Sequence, residues 1–202
     1  IPLNTIQPGA DNSDLLPLKS IVGDARIVAL GEATHGTQEF FQMKHRIVAF
    51  LASEMGFTVF SIEANMPESY RVNDYVLGGE GDPKQLIAGM YFWTWNTEEV
   101  LAMVEWMRNY NTRSDHKIHF TGFDMQTPDV AMAEVLGFLW TVEPRLAAVA
   151  AVQYPKALNA PQRSPGGMAL YRFPTSQARG KTVRFTAWIK TEGNGEIVGW
   201  GN

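Results

Sequence analysis

The sequence predicts an α/β protein with a mostly parallel sheet flanked by helices and a short β-rich C-terminal segment. Strand-like apolar runs at 26–30, 57–62 and 117–122 alternate with helix-like runs. This alternation is typical of parallel sheets whose strands are joined by helical crossovers. Apolar residues make up 45% of the 202-residue chain, which is enough for a sizeable core.

The first strand is expected at Arg26–Leu30 and the first long helix at Gln38–Met55. Thr37 is a suitable N-cap, and Gly56 is suited to end the helix. Spacings of three and four residues place one apolar face on this helix, formed by Phe40, Met43, Ile47 and Leu51.

A buried strand is expected at Phe57–Ile62, followed by Glu63. Asn65 and Pro67 then begin a helix. After a glycine-rich break, Asp82 and Pro83 have the residue types of a helix start.

Asn96 is expected to cap the next long helix, which has Glu99 in its first turn. The third strand is expected at Lys117–Gly122. Thr127 and Pro128 then begin a helix that runs to about residue 142.

The chain divides into an α/β domain at 1–152, a proline- and glycine-rich linker at 153–179 and a strand-rich fragment at 180–202. In the fragment, Val183, Phe185, Ala187 and Ile189 alternate with mostly polar residues, as in a half-exposed strand. The chain starts with Ile1 instead of Met, so we expect sequence upstream. A removed signal peptide and a trimmed end are both compatible with this start.

Composition excludes several classes of function. Net charge is −4 and no basic stripe occurs, so we expect no nucleic-acid partner. Apolar runs fall short of the roughly 20 residues that span a bilayer, so we expect no membrane partner. The absence of cysteine excludes disulfides and thiol catalysis. Compartment and oligomeric state are not fixed by the sequence.

The segment Gly31–Thr37 carries the strongest chemical signal. Glu32 and His35 lie three residues apart in a glycine-framed loop between an expected strand and a helix. An imidazole exchanges protons near neutral pH, so His35 is the candidate general base and Glu32 a carboxylate that orients it. The alternative is a helix-capping loop in which both side chains only satisfy backbone groups.

Two further carboxylates follow expected strands. Glu63 and Asp124 come at the ends of the second and third strands. Because the carboxyl ends of parallel strands share one edge of a sheet, we expect both near His35. Glu63 is assigned a catalytic role and Asp124 a substrate-binding role. Structural pairing of Glu63 and local turn capping by Asp124 are the alternatives.

Three other side chains are expected to contact substrate. Lys44, early in the first long helix, can point back as a positive clamp. Trp93 and Trp95 belong to an aromatic run, 91–95, that can line a pocket for an apolar ligand or a sugar ring. An exposed lysine and ordinary core packing are the competing interpretations.

The other histidines are weaker candidates. His45 lies between two basic residues on a face expected to be exposed, His116 lies in a charged loop, and His119 lies inside a strand. No H-E-x-x-H zinc spacing, no G-x-S-x-G elbow and no phosphate loop occurs. We therefore expect no cofactor, with a divalent metal held by Glu32, His35 and Glu63 as the alternative.

The sequence resembles the erythromycin esterase family over about residues 15–145. Several separate motifs carry the resemblance, in order and with suitable spacing. They are Ala29–Thr37, Glu39–Phe41 with Lys44, Gly56–Phe57, Ile62–Ala64, Val72–Val76, Trp93–Val100, Trp106–Arg108 and Gly122–Gln126.

The resemblance implies hydrolysis of an ester, which in the best-known members is the lactone of a macrolide antibiotic, giving resistance. A histidine matching His35 activates water without a covalent serine intermediate. Glu32 and Glu63 match carboxylates of the family's site, whereas some members have arginine where this chain has Lys44.

Two departures from the family matter. Its members are longer, and the second half that normally supplies another site histidine has no counterpart after about residue 150. The segment 180–190 resembles instead part of an accessory domain. We therefore keep two alternatives to the hydrolase: a non-catalytic ligand- or metal-binding domain on the same scaffold, and a metal-dependent hydrolase.

Overall fold

In the computed structural model, which describes residues 2–158, two parallel strands are flanked by helices, which confirms the α/β class. A short 3-10 turn at Ser13–Leu15 precedes the regular elements. They are α1 (Leu18–Val22), α2 (Gln38–Met55), β1 (Val59–Asn65), α3 (Met66–Val76), α4 (Pro83–Ala88), α5 (Glu98–Arg113), β2 (His119–Asp124), α6 (Pro128–Val142) and α7 (Pro144–Leu158).

Helix α2 has the predicted bounds. Thr37 is its N-cap through the backbone, because its carbonyl accepts the N–H groups of Phe40 and Phe41 at 3.2 and 3.4 Å. Gly56 ends the helix at φ 72°, a left-handed conformation that glycine adopts without steric cost. The apolar periodicity, with Thr37 and Gly56 at the two ends, was therefore sufficient to predict the bounds of this helix.

The two strands pair in parallel, with Val59 opposite His119 and Ile62 opposite Gly122. Both begin two residues later than predicted and extend further, so Glu63 lies inside β1. Gly122 is tightly enclosed, since a Cβ there would lie 2.1 Å from the carbonyl oxygen of Ala64. A side chain at that position would force the strand away from its neighbour.

The predicted strand at Arg26–Leu30 is wrong. These residues form no ladder within the described part of the chain, and Ile27 is 87% exposed. An apolar run predicts a strand only if a neighbouring strand pairs with it and a second layer covers it. Neither condition is met here.

The carboxyl ends of β1 and β2 are joined through the buried side chain of Asn65. Its carbonyl oxygen accepts the Gln126 N–H at 2.6 Å, and its amide donates to Thr127 Oγ1 at 2.6 Å and Glu68 Oε1 at 3.1 Å. Thr127 in turn donates to Glu68 Oε1 at 3.0 Å. One amide thereby fixes the starts of both α3 and α6.

The hydrophobic core lies between the strands and helices α2 to α5 and includes Val72, Val104 and Phe120. Helix α5 begins at Thr97, whose hydroxyl accepts the Val100 N–H at 3.3 Å. The predicted cap, Asn96, is wrong by one residue. The helix start at Asp82 and Pro83 is confirmed, with Asp82 Oδ1 accepting the Lys84 N–H at 3.0 Å.

The predicted exposure of the helix face around His45 is also wrong. His45 is 5% exposed and packs against Trp106 with ring centroids 5.5 Å apart, and Arg46 is 1% exposed. Arg46 is covered because the N-terminal segment folds over α2, where Arg46 donates to the carbonyl oxygen of Thr5 at 2.6 Å. No local pattern in α2 predicts this long-range contact.

Burial of His45 predicts a pH-dependent stability. Desolvation lowers the pKa of His45 from 6.5 to about 4, so the folded state resists protonation while the unfolded state does not. The free energy of unfolding should therefore fall by about 2 kcal/mol between about pH 7 and pH 5. Urea unfolding at the two pH values measures this fall.

The variant His45→Gln should largely remove this contribution to the pH dependence, whereas His116→Gln, at an exposed loop position, should leave it unchanged. An equal pH dependence in the wild type and His45→Gln would contradict the assignment.

Helices α6 and α7 pack against each other, and α6 has no fully buried residue. Its exposed apolar side chains include Val135, Phe138 and Trp140. Helix α7 reaches Leu158, so the predicted linker start at residue 153 falls inside a helix. The rest of the predicted linker and the strand-rich fragment 180–202 lie outside the described residues, and this domain division stays a prediction.

Among the helices of residues 2–158, none is both long enough and apolar enough to cross a lipid bilayer.

Candidate functional site

Glu32 lies between an imidazole and an ammonium group. Its Oε1 is 2.5 Å from His35 Nδ1, and its Oε2 accepts a hydrogen bond from Lys44 Nζ. The Glu32 and Lys44 side chains are 10% and 16% exposed, whereas that of His35 is 53% exposed. The predicted pairing of Glu32 with His35, and the predicted direction of Lys44, are therefore present in the structure.

This arrangement selects one form of the imidazole. A carboxylate that already accepts from an ammonium group is an acceptor on both oxygens, so His35 Nδ1 carries the proton that Glu32 binds. In the neutral ring, Nε2 then has the free lone pair. Because the His35 side chain is 53% exposed, water from solvent can reach this ring.

Aromatic rings hold this cluster in place. The His35 ring meets Trp95 edge-on with centroids 6.1 Å apart, and meets Trp93 edge-on at 6.5 Å. Lys44 Nζ lies 5.6 Å from the ring centroid of Phe41 and 5.8 Å from that of Trp95, within the range of cation–π attraction.

The two tryptophans, both predicted to bind substrate, differ in exposure. Trp95 is 5% exposed and Trp93 is 75% exposed. Trp93 lies over Gly36, which has φ 77° and where an added Cβ would be 3.8 Å from Cζ3 of the indole. Of these two tryptophans, Trp93 is the one that offers an exposed ring to a ligand, whereas Trp95 packs beneath the cluster.

Glu63 reaches the cluster through its backbone. Its carbonyl oxygen accepts the Trp95 indole N–H at 2.7 Å, while within residues 2–158 its exposed carboxylate makes no hydrogen bond or ion pair. The edge of the sheet is thus linked to His35 by way of Trp95. The structure does not bring the Glu63 carboxylate into a hydrogen bond with Glu32 or His35.

Asp124 binds its own turn. Its Oδ1 accepts the Met125 N–H at 2.8 Å and its Oδ2 accepts from the Gln126 side-chain amide at 2.7 Å. This is the capping alternative considered from the sequence. Both oxygens are engaged locally, so no contact links Asp124 to His35 in the described residues.

Sequence reasoning missed how three residues support the site. The sequence indicates no role for Phe41, predicts substrate contact for Trp95 and identifies Asn65 only as a helix start. Each of the three also has a contact with a residue 32 or more positions away, such as the bond from Trp95 to Glu63. The one available signal was the position of Phe41, three residues before Lys44 and therefore on the same helix face.

A metal site of protein ligands is not prebuilt in the described part of the chain, where no three His, Cys, Asp or Glu side chains are grouped to hold an ion. Two cavities, of about 200 and 310 Å³, are lined in part by His45 and by Lys84, respectively. Neither includes a predicted site residue, and the cluster around His35 is open to solvent.

Fold and site together define an α/β protein with a carboxylate–imidazole–ammonium cluster whose imidazole is exposed to solvent, a combination suited to general acid–base chemistry. The family described as erythromycin esterase matches residues 52–184. The chain belongs to the erythromycin esterase family. The matched range includes Glu63 and Asp124 and begins after the loop that carries Glu32 and His35.

Two curated relatives agree with this family and are named as hydrolases. Erythromycin esterase type II of Escherichia coli is 33% identical over 127 residues, which are 62% of this chain and 29% of that protein. "Putative hydrolase YbfO" of Bacillus subtilis strain 168 is 33% identical over 118 residues, which are 58% of this chain and 26% of that protein. Membership supports a hydrolase function at the level of the family.

Two solved structures share the fold. One, titled a succinoglycan biosynthesis protein, has a TM-score of 0.69 and 36% identity and covers 77% of this chain and 40% of that chain. A Bacillus cereus protein has a TM-score of 0.65 and 38% identity and covers 72% of this chain and 35% of that chain. The chain thus matches less than half the length of each of these relatives.

Proposed function

We propose that this chain hydrolyses a carboxylic ester or lactone, using His35 as the base that activates water. The observation that carries the proposal is that one oxygen of the Glu32 carboxylate binds His35 Nδ1 while the other accepts a hydrogen bond from Lys44 Nζ. Family membership and the named esterase and hydrolase relatives support the reaction class.

In the proposed reaction, His35 Nε2 takes one proton from water as the water oxygen bonds to the acyl carbon. Glu32 stabilises the imidazolium that forms, because its negative charge lies against Nδ1–H. The C–O bond to the leaving group then breaks, and His35 returns the proton to the departing alkoxide. An ester gives one carboxylic acid and one alcohol, and a lactone gives a single hydroxy acid.

The negative charge on the tetrahedral intermediate needs a positive partner. Lys44 is the first candidate, because its ammonium group belongs to the same cluster through its ion pair with Glu32. The free N–H groups in the first turn of α2, which begins three residues after His35, are the second candidate. The proposed reaction uses no cofactor.

The substrate is proposed to be a small molecule with a ring that can stack on Trp93, whose indole is three-quarters exposed beside His35. Macrolide lactones are one candidate, from the relative named erythromycin esterase type II. Esters of a polysaccharide are another, from the relative titled a succinoglycan biosynthesis protein.

The test is hydrolysis by the full 202-residue chain of a macrolide, a simple lactone and an acetylated oligosaccharide, followed by mass spectrometry in water enriched in heavy oxygen. With enzyme in excess over substrate, direct attack by water puts heavy oxygen into the acid in the first turnover. Attack by a protein carboxylate would put unlabelled oxygen there instead. Loss of turnover after chelation would favour the metal-dependent alternative.

The non-catalytic alternative is favoured by one observation, the exposed ring faces of Trp93 and Tyr91, which are 75% and 73% exposed. Calorimetry with the same compounds separates the two functions. Binding without release of acid would contradict the hydrolase and support a binding domain.

A further inference from the structure

We infer that Trp95 is a positioning residue that fixes the orientation of His35 from the edge of the sheet. This inference rests on the proposed function for its kinetic consequence and on geometry for its structural one. It replaces substrate contact, the role expected for Trp95 from the sequence, with a role beneath the site.

The first support is the anchoring of the indole. Its N–H donates to the Glu63 carbonyl oxygen at 2.7 Å, and the ring is 5% exposed. Glu63 lies in β1, the strand that pairs with β2, so this hydrogen bond attaches the indole to the rigid part of the fold. A buried indole with its single donor satisfied has little freedom to move.

The second support is what the anchored ring touches. The indole and the His35 ring are nearly perpendicular, with centroids 6.1 Å apart and an interplanar angle of 79°, and the indole centroid is 5.7 Å from that of Phe41. Lys44 Nζ lies 5.8 Å from the same ring. Both groups that bind Glu32 are therefore in contact with one indole.

The third support is the way the loop is held, since Lys44 Nζ of α2 ties it only to the helix, by a hydrogen bond to Glu32. Residues 26–30 are not paired in a ladder, so within the described residues no strand fixes the loop from its N-terminal side. His35 Nδ1 binds Glu32, a residue of the same loop. Lys44 therefore ties Glu32 to α2, whereas Trp95 links the imidazole directly to β1, with the exposed Trp93 as a second ring beside His35.

The test uses Trp95→Phe, which keeps an aromatic ring but removes the N–H donor. We expect kcat for ester hydrolysis to fall about 10- to 100-fold with KM changed less than about threefold, because the base is misplaced while substrate contacts remain. The matched control is Trp106→Phe. Trp106 also packs against a histidine, His45, but has no contact with the cluster, so kcat should be unchanged.

A second readout does not depend on turnover. Nitrogen NMR of the histidine side chains reports which ring nitrogen carries the proton, and His35 should be predominantly Nδ1-protonated in the wild type. In Trp95→Phe we expect a mixture of tautomers and shifted ring signals for His35 alone. In Trp106→Phe the shifts should be confined to His45.

The outcomes separate this inference from the proposed function. Absence of hydrolysis by the wild type together with the expected His35 signals would remove the hydrolase and keep the positioning role. Unchanged kcat and unchanged His35 signals in a folded Trp95→Phe would overturn the positioning role. If that variant fails to fold, Phe41→Leu loosens Trp95 from its other face, and unchanged His35 signals in that variant would also overturn it.

Discussion

Replacement of His35 by Asn should lower kcat/KM for ester hydrolysis by about 100- to 10,000-fold, the usual range for loss of a general base. Asparagine can keep a hydrogen bond to Glu32 through its amide but cannot take a proton from water. The His35 side chain is 53% exposed, so the exchange removes little packing and the fold should persist.

The matched control is His116→Asn, an exposed histidine whose ring is outside the cluster. Initial rates and thermal unfolding of both variants are the measurements. Turnover by His35→Asn within threefold of the wild type would contradict the role of His35, since loss of a general base lowers the rate by far more than that.

Replacement of Arg46 by Met should produce the largest loss of stability. Its guanidinium donates to both Asp14 oxygens, at 2.5 and 3.1 Å, and to the carbonyl oxygens of Thr5 and Asp11, at 2.6 and 2.5 Å. Breaking a buried pair leaves an uncompensated charge and unpaired acceptors. We expect the thermal midpoint to fall by about 6–20 °C.

The control for Arg46→Met is Lys19→Met, which breaks an ion pair with Glu54 in which both side chains are 43% exposed. Its thermal midpoint should fall by less than about 4 °C. Equal losses in the two variants would contradict a special contribution from the buried pair. The double variant Arg46→Met with Asp14→Leu should recover part of the loss, because no charge is then left unpaired.

Acid should weaken the ion pair between Arg46 and Asp14. The hydrogen bond from Arg46, followed by that from the Asn4 N–H, lowers the pKa of Asp14 from 3.8 to about 2. The stability that Asp14 contributes is complete above its unfolded pKa and is lost as pH falls from about 4 through about 2. In Asp14→Asn this acid-dependent part of the unfolding curve should be absent.

Local signals predicted the local elements well. The bounds of α2, the start of α4 at Asp82 and the start of α6 at Pro128 follow from period, caps and proline, which act within a few residues. The Glu32–His35 contact was predictable for the same reason, since the two residues are three positions apart in one loop.

Long-range contacts account for the errors. Burial of Arg46 requires the segment around Asp14, 32 positions away, to fold over α2. The expected strand at 26–30 required a partner that no local pattern guarantees. The expected meeting of carboxylates at one edge assumed that side chains point to the same place, whereas Glu63 contributes its carbonyl and Asp124 binds its own turn.

The side chain of Asn65 couples the starts of helices α3 and α6. This single side chain accepts from the backbone after β2 and donates to Thr127, the N-cap of α6, and to Glu68 in the first turn of α3. Movement of α6 away from the sheet would therefore also disturb hydrogen bonds at the start of α3. The starts of α3 and α6 are therefore coupled through one amide, and we expect a substitution at Asn65 to loosen both helix starts together.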